Sequence, residues 1–191
     1  MKAYLITALL ALLIADAASQ PLPGFRPSGL FDEQQVVIEN ESSGTRILVN
    51  APLSGFGADD RVLLVFYALP NGNTIEQTFG KKLKEGDDWH FDIQHIGAQT
   101  RFLRRVITDR TMVVAYLENS RKSWPSWSAN TTGHLEDVKK MVGEITALFE
   151  PWDPELVLNG HSGGGRFIFN YLDAFDRIPG NVVRIAFLDS N

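Results

Sequence analysis

Residues 155–175, ELVLNGHSGGGRFIFNYLDAF, constrain this chain more than any other stretch. The apolar run at 156–159 reads as a short strand. The run at 163–175 reads as a helix, with Phe167, Ile168, Tyr171, Leu172 and Phe175 on its inner side. Between them, GHSGGG sets Ser162 among four glycines. A strand that becomes a helix over so few residues has to turn sharply. A serine held there in a strained backbone, with its hydroxyl projecting from the strand end, draws neighbouring chain so close that side chains two before and two after would collide with it. Gly160 and Gly164 remove those side chains. The segment lacks the Lys-Ser/Thr of a phosphate-binding P-loop and the G-x-G-x-x-G order of a dinucleotide site.

The rest of the chain supplies a setting for such a turn. Residues 35–39 and 45–50 read as a strand pair around the turn signal NESSG. RVLLVFYAL (61–69), TMVVAYL (111–117) and VVRIAFL (182–188) are continuous apolar runs, the mark of strands covered on both faces. From Asp88 the spacing is helical, with Trp89, Ile93, Ile96, Leu103 and Val106 on one stripe and Arg101, Arg104 and Arg105 in the last turns, where they suit the helix dipole. A second helix is expected over 134–149, ended by Pro151. The alternation predicts an α/β domain with a mostly parallel, doubly wound sheet and right-handed crossovers, in one unit covering 20–191.

Strand, G-H-S-G-G and helix together resemble the nucleophile elbow of the α/β-hydrolase family, and the element order extends that resemblance over roughly residues 35–191. The resemblance implies that Ser162 attacks an acyl carbon, activated by a histidine that an acid orients, with the oxyanion held by backbone N–H groups. One donor is then Gly163, directly after the nucleophile. The family takes the other from the loop after the strand that ends here near Leu69. The usual His-Gly pair is absent there, ALPNGN stands in its place, and Pro70 has no N–H, so the second donor is Leu69, Asn71 or a later residue of the turn.

In the family the chain order is nucleophile, acid, histidine, and this sequence has no histidine after His161. Asp189, at the carboxyl end of the last apolar run, is the candidate acid; the alternative is a residue that caps the following turn. The catalytic base is absent from the 191 residues. They therefore read as the N-terminal part of a hydrolase-like domain missing its C-terminal strands, inactive as it stands, with an unpaired apolar edge that invites aggregation. The second class of reading is a hydrolase-fold protein without catalysis that serves as a binding module.

His161 is expected to pack and hydrogen-bond behind the site, since consecutive side chains on such a turn diverge. His90, His95 and His134 read as satisfied residues of helices or helix starts. Nothing calls for a metal: HFDIQH spaces its histidines by five, not the four that puts two ligands on one helical face. No cofactor is implied. Trp124 and Trp127, in the segment 118–134 read as a loop, either pack on the domain or stack on a sugar or aromatic acyl group.

MKAYLITALLALLIADAASQ has one early Lys, an apolar run too short for a membrane span, and small residues at 15–19, the pattern of a signal peptide over 1–19. With no cysteine, a soluble secreted or periplasmic bacterial protein without disulfides or a stable membrane anchor is expected. The formal charge of −5 and the lack of a dense Lys/Arg run argue against a nucleic-acid partner. A small-molecule or glycan-linked ester is the expected substrate, because nothing marks a peptidase.

Overall fold

The computed structural model describes residues 21–29 and 31–190. The expected signal peptide lies outside the described residues. Seven strands form one sheet: β1 (Arg26–Pro27), β2 (Glu33–Asn40), β3 (Thr45–Pro52), β4 (Val62–Ala68), β5 (Thr111–Asn119), β6 (Glu155–His161) and β7 (Val182–Leu188), in the order β1-β2-β3-β5-β4-β6-β7. The first three run antiparallel, β3 pairs antiparallel with β5, and β5, β4, β6 and β7 are mutually parallel. The expected strands are all present, each within a few residues of its expected bounds.

Alternate residues of β4 feed two cores. Val62, Leu64, Phe66 and Ala68 face a cluster with α3 (Trp124–Asn130), α4 (His134–Ala147) and α5 (Gly165–Asp173). Leu63, Val65 and Tyr67 face a smaller cluster with α1 (Ile75–Phe79) and the start of α2 (Ile96–Val106). A strand with helices over both faces cannot alternate apolar and polar residues, which is why β4 and β5 read as unbroken apolar runs. Full burial of side chains such as Phe66, Leu117 or Ile168 contributes about 1.5–3 kcal/mol each.

Two expectations are corrected. The helix expected from Asp88 is a 3₁₀ turn (Trp89–Asp92) followed, after a left-handed His95, by α2. Most of its apolar stripe does not face inward: Ile96 packs against the smaller core, but Trp89, Ile93, Leu103 and Val106 are exposed. The inner face is polar because it meets a buried carboxylate. Glu33 takes a two-pronged bond from Arg101 (3.0 and 2.9 Å) and one from Arg104 (3.0 Å), so both guanidiniums turn inward and swing the apolar positions out. The segment expected to be a loop at 118–134 contains α3. Ser123 caps that helix by accepting the Ser126 N–H, and Pro125 sits in its first turn.

β7 is the edge strand. Among the described residues no strand pairs with its outer side, and Val183, Phe187 and Leu188 are 49%, 41% and 42% exposed. Beside it a groove of about 510 Å³ runs between Leu103 and Ile107 on one side and Val157, Asn159 and Val183 on the other.

Candidate active site

In a parallel sheet, groups at the carboxyl ends of two strands meet in a crevice where their onward connections diverge. Here that point lies between β4 and β6. The chain leaves β4 through α1 and α2 towards β5 on one side, and leaves β6 through α5 towards β7 on the other. Ala68 is the register partner of Gly160, so the turn after β4 and the turn after β6 stand side by side.

Ser162 has φ +50°, a left-handed conformation that β-carbon-bearing residues rarely hold. The surrounding glycines explain how it is kept. A β-carbon on Gly160 would lie 2.6 Å from the carbonyl carbon and oxygen of Gly164 and 2.7 Å from the nitrogen of Gly165. One on Gly164 would strike the carbonyl oxygen of Ala68 and approach that of Leu69 to 3.1 Å. One on Gly165 would come within 2.7 Å of the Ser190 β-carbon. The sharp turn expected at Ser162 is thus the observed one, and Gly160 and Gly164 each hold a place where only hydrogen fits.

Residues 162–164 form a single 3₁₀ turn that runs straight into α5. The first N–H groups of such a helix have no partner within it, so the Gly163 N–H is in the position of a donor available to a ligand. Across from it, a β-carbon on Gly163 would strike the Asn71 side chain, which fixes the turn after β4 directly against the elbow.

The three named candidates for the second donor now separate. The Leu69 N–H is already used, donating to Leu117 O at 3.1 Å, which corrects its candidacy. Gly72 donates to Lys122 O at 2.8 Å. Among the described residues the Asn71 and Asn73 N–H groups donate to none, and of the two it is Asn71 whose side chain stands against Gly163.

Asp189 also has a positive φ, +48°, and follows Leu188, the register partner of His161. It therefore stands at the carboxyl edge of the sheet, one strand over from Ser162, exposed and bonded to no described residue. Its neighbour Ser190 was not foreseen: its hydroxyl donates to Gly160 O at 2.9 Å and ties the end of β7 to the elbow. A short polar residue two past a strand end gives no signal of that kind in sequence.

The histidines do not gather at Ser162. His90 pairs with Asp88 and His95 with Asp92, each at 2.6 Å, and His134 meets Thr131 O at 3.1 Å. His161 is half-buried, and its ring makes no hydrogen bond to a described residue, which corrects the expectation of a hydrogen-bonding role. Nor does the Ser162 hydroxyl bond to any described side chain.

Trp124 and Trp127 are each 1% exposed. They pack edge to face on one another at 5.3 Å, Trp124 also lies against Phe167, and the Trp127 indole N–H donates to Ser43 O at 2.7 Å. Neither leaves a ring face for a substrate: both are core residues, because α3 turns them inward onto α5.

A charged network borders the turn. Glu118 accepts the Ile75 N–H at 2.7 Å and meets Arg46 at 3.1 Å, and Arg46 reaches Glu76 at 2.6 Å. Burial works against the charge of Arg46, yet Glu76 and Glu118 hold its pKa above the ordinary arginine value. Desolvation likewise opposes the charge on Glu76, and the bond from Arg46 outweighs it, leaving that carboxyl below its usual range.

No family model matches this chain, and no curated protein matches it. Solved structures do. A protein described as a carboxylesterase from Lactobacillus plantarum superposes with a TM-score of 0.46 at 13% identity, over 88% of this chain and 61% of its own. A poly(3-hydroxybutyrate) depolymerase from Bordetella parapertussis gives 0.43 at 14% identity, over 80% and 49%. A protein described as an α/β-hydrolase fold protein of unknown function gives 0.42 at 16%, over 81% and 43%. The chain thus spans less than two thirds of the length of each of these structures. Sheet order and helices on both faces define the class of fold, a mixed, doubly wound α/β sheet with a left-handed serine at one strand-to-helix turn.

Proposed function

We propose that this chain is the nucleophile-bearing part of a secreted serine hydrolase that cleaves esters. The observation that carries the reading is Ser162 at φ +50°, kept there by glycines at 160 and 164 whose α-hydrogens face backbone where a β-carbon would collide. A strained, side-chain-bearing residue in a turn that glycine would occupy without cost calls for a use of its hydroxyl.

In the proposed reaction the Ser162 hydroxyl oxygen bonds to the acyl carbon while its proton passes to a histidine base. The carbonyl oxygen becomes an oxyanion that accepts from the Gly163 and Asn71 N–H groups. Collapse breaks the ester C–O bond, the base returns its proton to the departing alcohol, and water then releases the acid from Ser162 by the same steps in reverse order. Asp189 is the proposed acid that orients the base. None of the four histidines present is proposed as that base, since His90, His95 and His134 are engaged elsewhere and His161 precedes the nucleophile directly. Export through residues 1–19 places the enzyme outside the cytoplasm, and the mass of the exported protein checks it: cleavage near 17–19 is expected.

The Ser162 hydroxyl without a described histidine favours the second reading, a binding protein of the same fold. One experiment separates the two. The full-length secreted protein is treated with a fluorophosphonate probe and assayed on p-nitrophenyl acyl esters, alongside Ser162→Ala. Hydrolysis and labelling in the parent, both lost in the variant, are expected. Unlabelled parent protein, or a Ser162→Ala variant that hydrolyses at the parent rate, sinks the hydrolase reading.

A further inference from the structure

The turn from Leu69 to Asn73 carries the donor opposite Gly163, but none of its own residues fixes its shape. Its entry is pinned by Leu69 N–H to Leu117 O and its middle by Gly72 N–H to Lys122 O. The Asn73 side-chain amide donates to Gln94 at 3.1 Å. Its exit is the first residue of α1, Ile75, whose N–H meets the Glu118 carboxylate at 2.7 Å. Three of these acceptors belong to residues 117–122, the end of β5 and the turn beyond it. That turn is itself locked: the buried Asn119 side chain accepts the N–H groups of Arg121 and Ser123 at 3.1 and 3.3 Å, and holds Lys122 at φ +48°. The space enclosed by Leu69, Pro70, Asn73, Glu118 and Lys122 has no room for a water-sized sphere. A lost contact there cannot be replaced by a bridging water.

From this we infer that Glu118 is a positioning residue for the oxyanion turn, acting through the Ile75 N–H; the inference rests on the hydrolase reading of Ser162. Among the described residues Glu118 is the only carboxylate that accepts from the turn or its immediate exit, its side chain is 14% exposed, and it reaches across from a neighbouring strand. A carboxylate accepting a backbone N–H at the start of a helix makes a charge-assisted bond. Arg46, from β3, offsets the carboxylate's charge. Asn71 lies between Leu69 and Gly72, and the exit held by Glu118 fixes the path by which the chain leaves that pair, so the three anchors together set the direction of the Asn71 N–H. Release of the exit lets Asn71 drift by a fraction of an ångström, and oxyanion donors lose most of their effect over such distances.

The test is a series at position 118 in the full-length secreted protein. Glu118→Gln keeps an acceptor oxygen at the same reach and loses the charge; Glu118→Asp keeps the charge and loses the reach; Glu118→Ala loses both. The expected result is a kcat near the parent value for Gln, and losses of about tenfold to a hundredfold for Asp and Ala with KM little changed. Should Ala fail to fold, the Gln and Asp pair still decides the matter. An active Asp variant beside an inactive Gln variant, or a KM change in place of a kcat change, overturns the proposal. Ser162→Ala is run in parallel: if it stays active the hydrolase reading fails, whereas an inactive Ser162→Ala beside a fully active Glu118→Asp defeats the Glu118 inference alone.

Discussion

The two turns that meet at the candidate site are held by unlike means. At the elbow the backbone is bent by atoms that are missing: Gly160 and Gly164 lack β-carbons where Gly164, Ala68 and Leu69 press in, and the Ser162 side chain bonds to nothing described. At Asn71 the backbone is bent by atoms that are added, from Glu118, Lys122 and Leu117, which lie some fifty residues further along the chain. The elbow is therefore rigid in proportion to its packing, and the turn in proportion to its hydrogen bonds. They should fail differently when disturbed.

The largest expected effect tests the packing side. Gly164→Ala would drive a β-carbon into two carbonyl oxygens of the β4 exit, and backbone in a central strand cannot yield without disturbing its ladders to β5 and β6. A loss of about 3 kcal/mol or more in unfolding free energy is expected. Urea denaturation of parent and variant measures it. An unchanged midpoint would mean that the elbow is as pliable as the turn.

The next effect tests the face under the turn. Tyr67 and Tyr116 lie on β4 and β5 in the smaller core, and burial pushes both hydroxyls up to about 12. A folded pKa above the unfolded value near 10 means that the unfolded chain releases its proton first. The stability from each group is thus whole below about pH 10 and lost as pH rises towards 12. Each contributes about 2–3 kcal/mol on this account. Denaturation midpoints measured from pH 9 to 12 should fall, and Tyr67→Phe should make that fall shallower. A parallel fall in Tyr67→Phe and parent would remove Tyr67 from the account.

The contrast between the turns also explains what could be read from the sequence. The glycines and the serine that bend the elbow lie within six consecutive residues, so GHSGGG with a strand before and a helix after was sufficient to place Ser162, Gly160 and Gly164, although Ala68, Leu69 and Ser190, which close on them, were not. The buried runs of β4, β5 and β6 were legible for the same local reason. Glu118 was not, since an acid after TMVVAYL has no visible partner until β5 is laid beside β4. The polar inner face of α2 was misread because its cause, Glu33, sits about seventy residues earlier on β2. Periodicity records that a helix has two faces; which of them turns inward depends on what awaits it.

Trp127→Phe gives a smaller effect and a control remote from both turns. It removes the bond to Ser43 O and should cost about 1–2 kcal/mol while leaving kcat and KM for ester hydrolysis untouched. A raised KM would restore Trp127 to the substrate.

The smallest effect on stability separates the two turns most directly. Gly163→Ala places its β-carbon against Asn71, as Gly164→Ala places one against Ala68, but the obstacle here is the end of an exposed side chain with no recorded hydrogen bond. Asn71 can rotate away. Gly163 is also in the first turn of a helix with no positive φ, where alanine is the better former. The expected stability change is below about 1 kcal/mol. Catalysis should respond more strongly, because the added methyl and the side chain it turns aside stand beside the two N–H donors: about a tenfold fall in kcat is expected, with labelling of Ser162 retained. Urea denaturation and ester kinetics on the same protein decide between the cases. A large stability loss with kcat intact would show that the Asn71 turn is packed as tightly as the elbow and that its N–H has no part in holding the oxyanion.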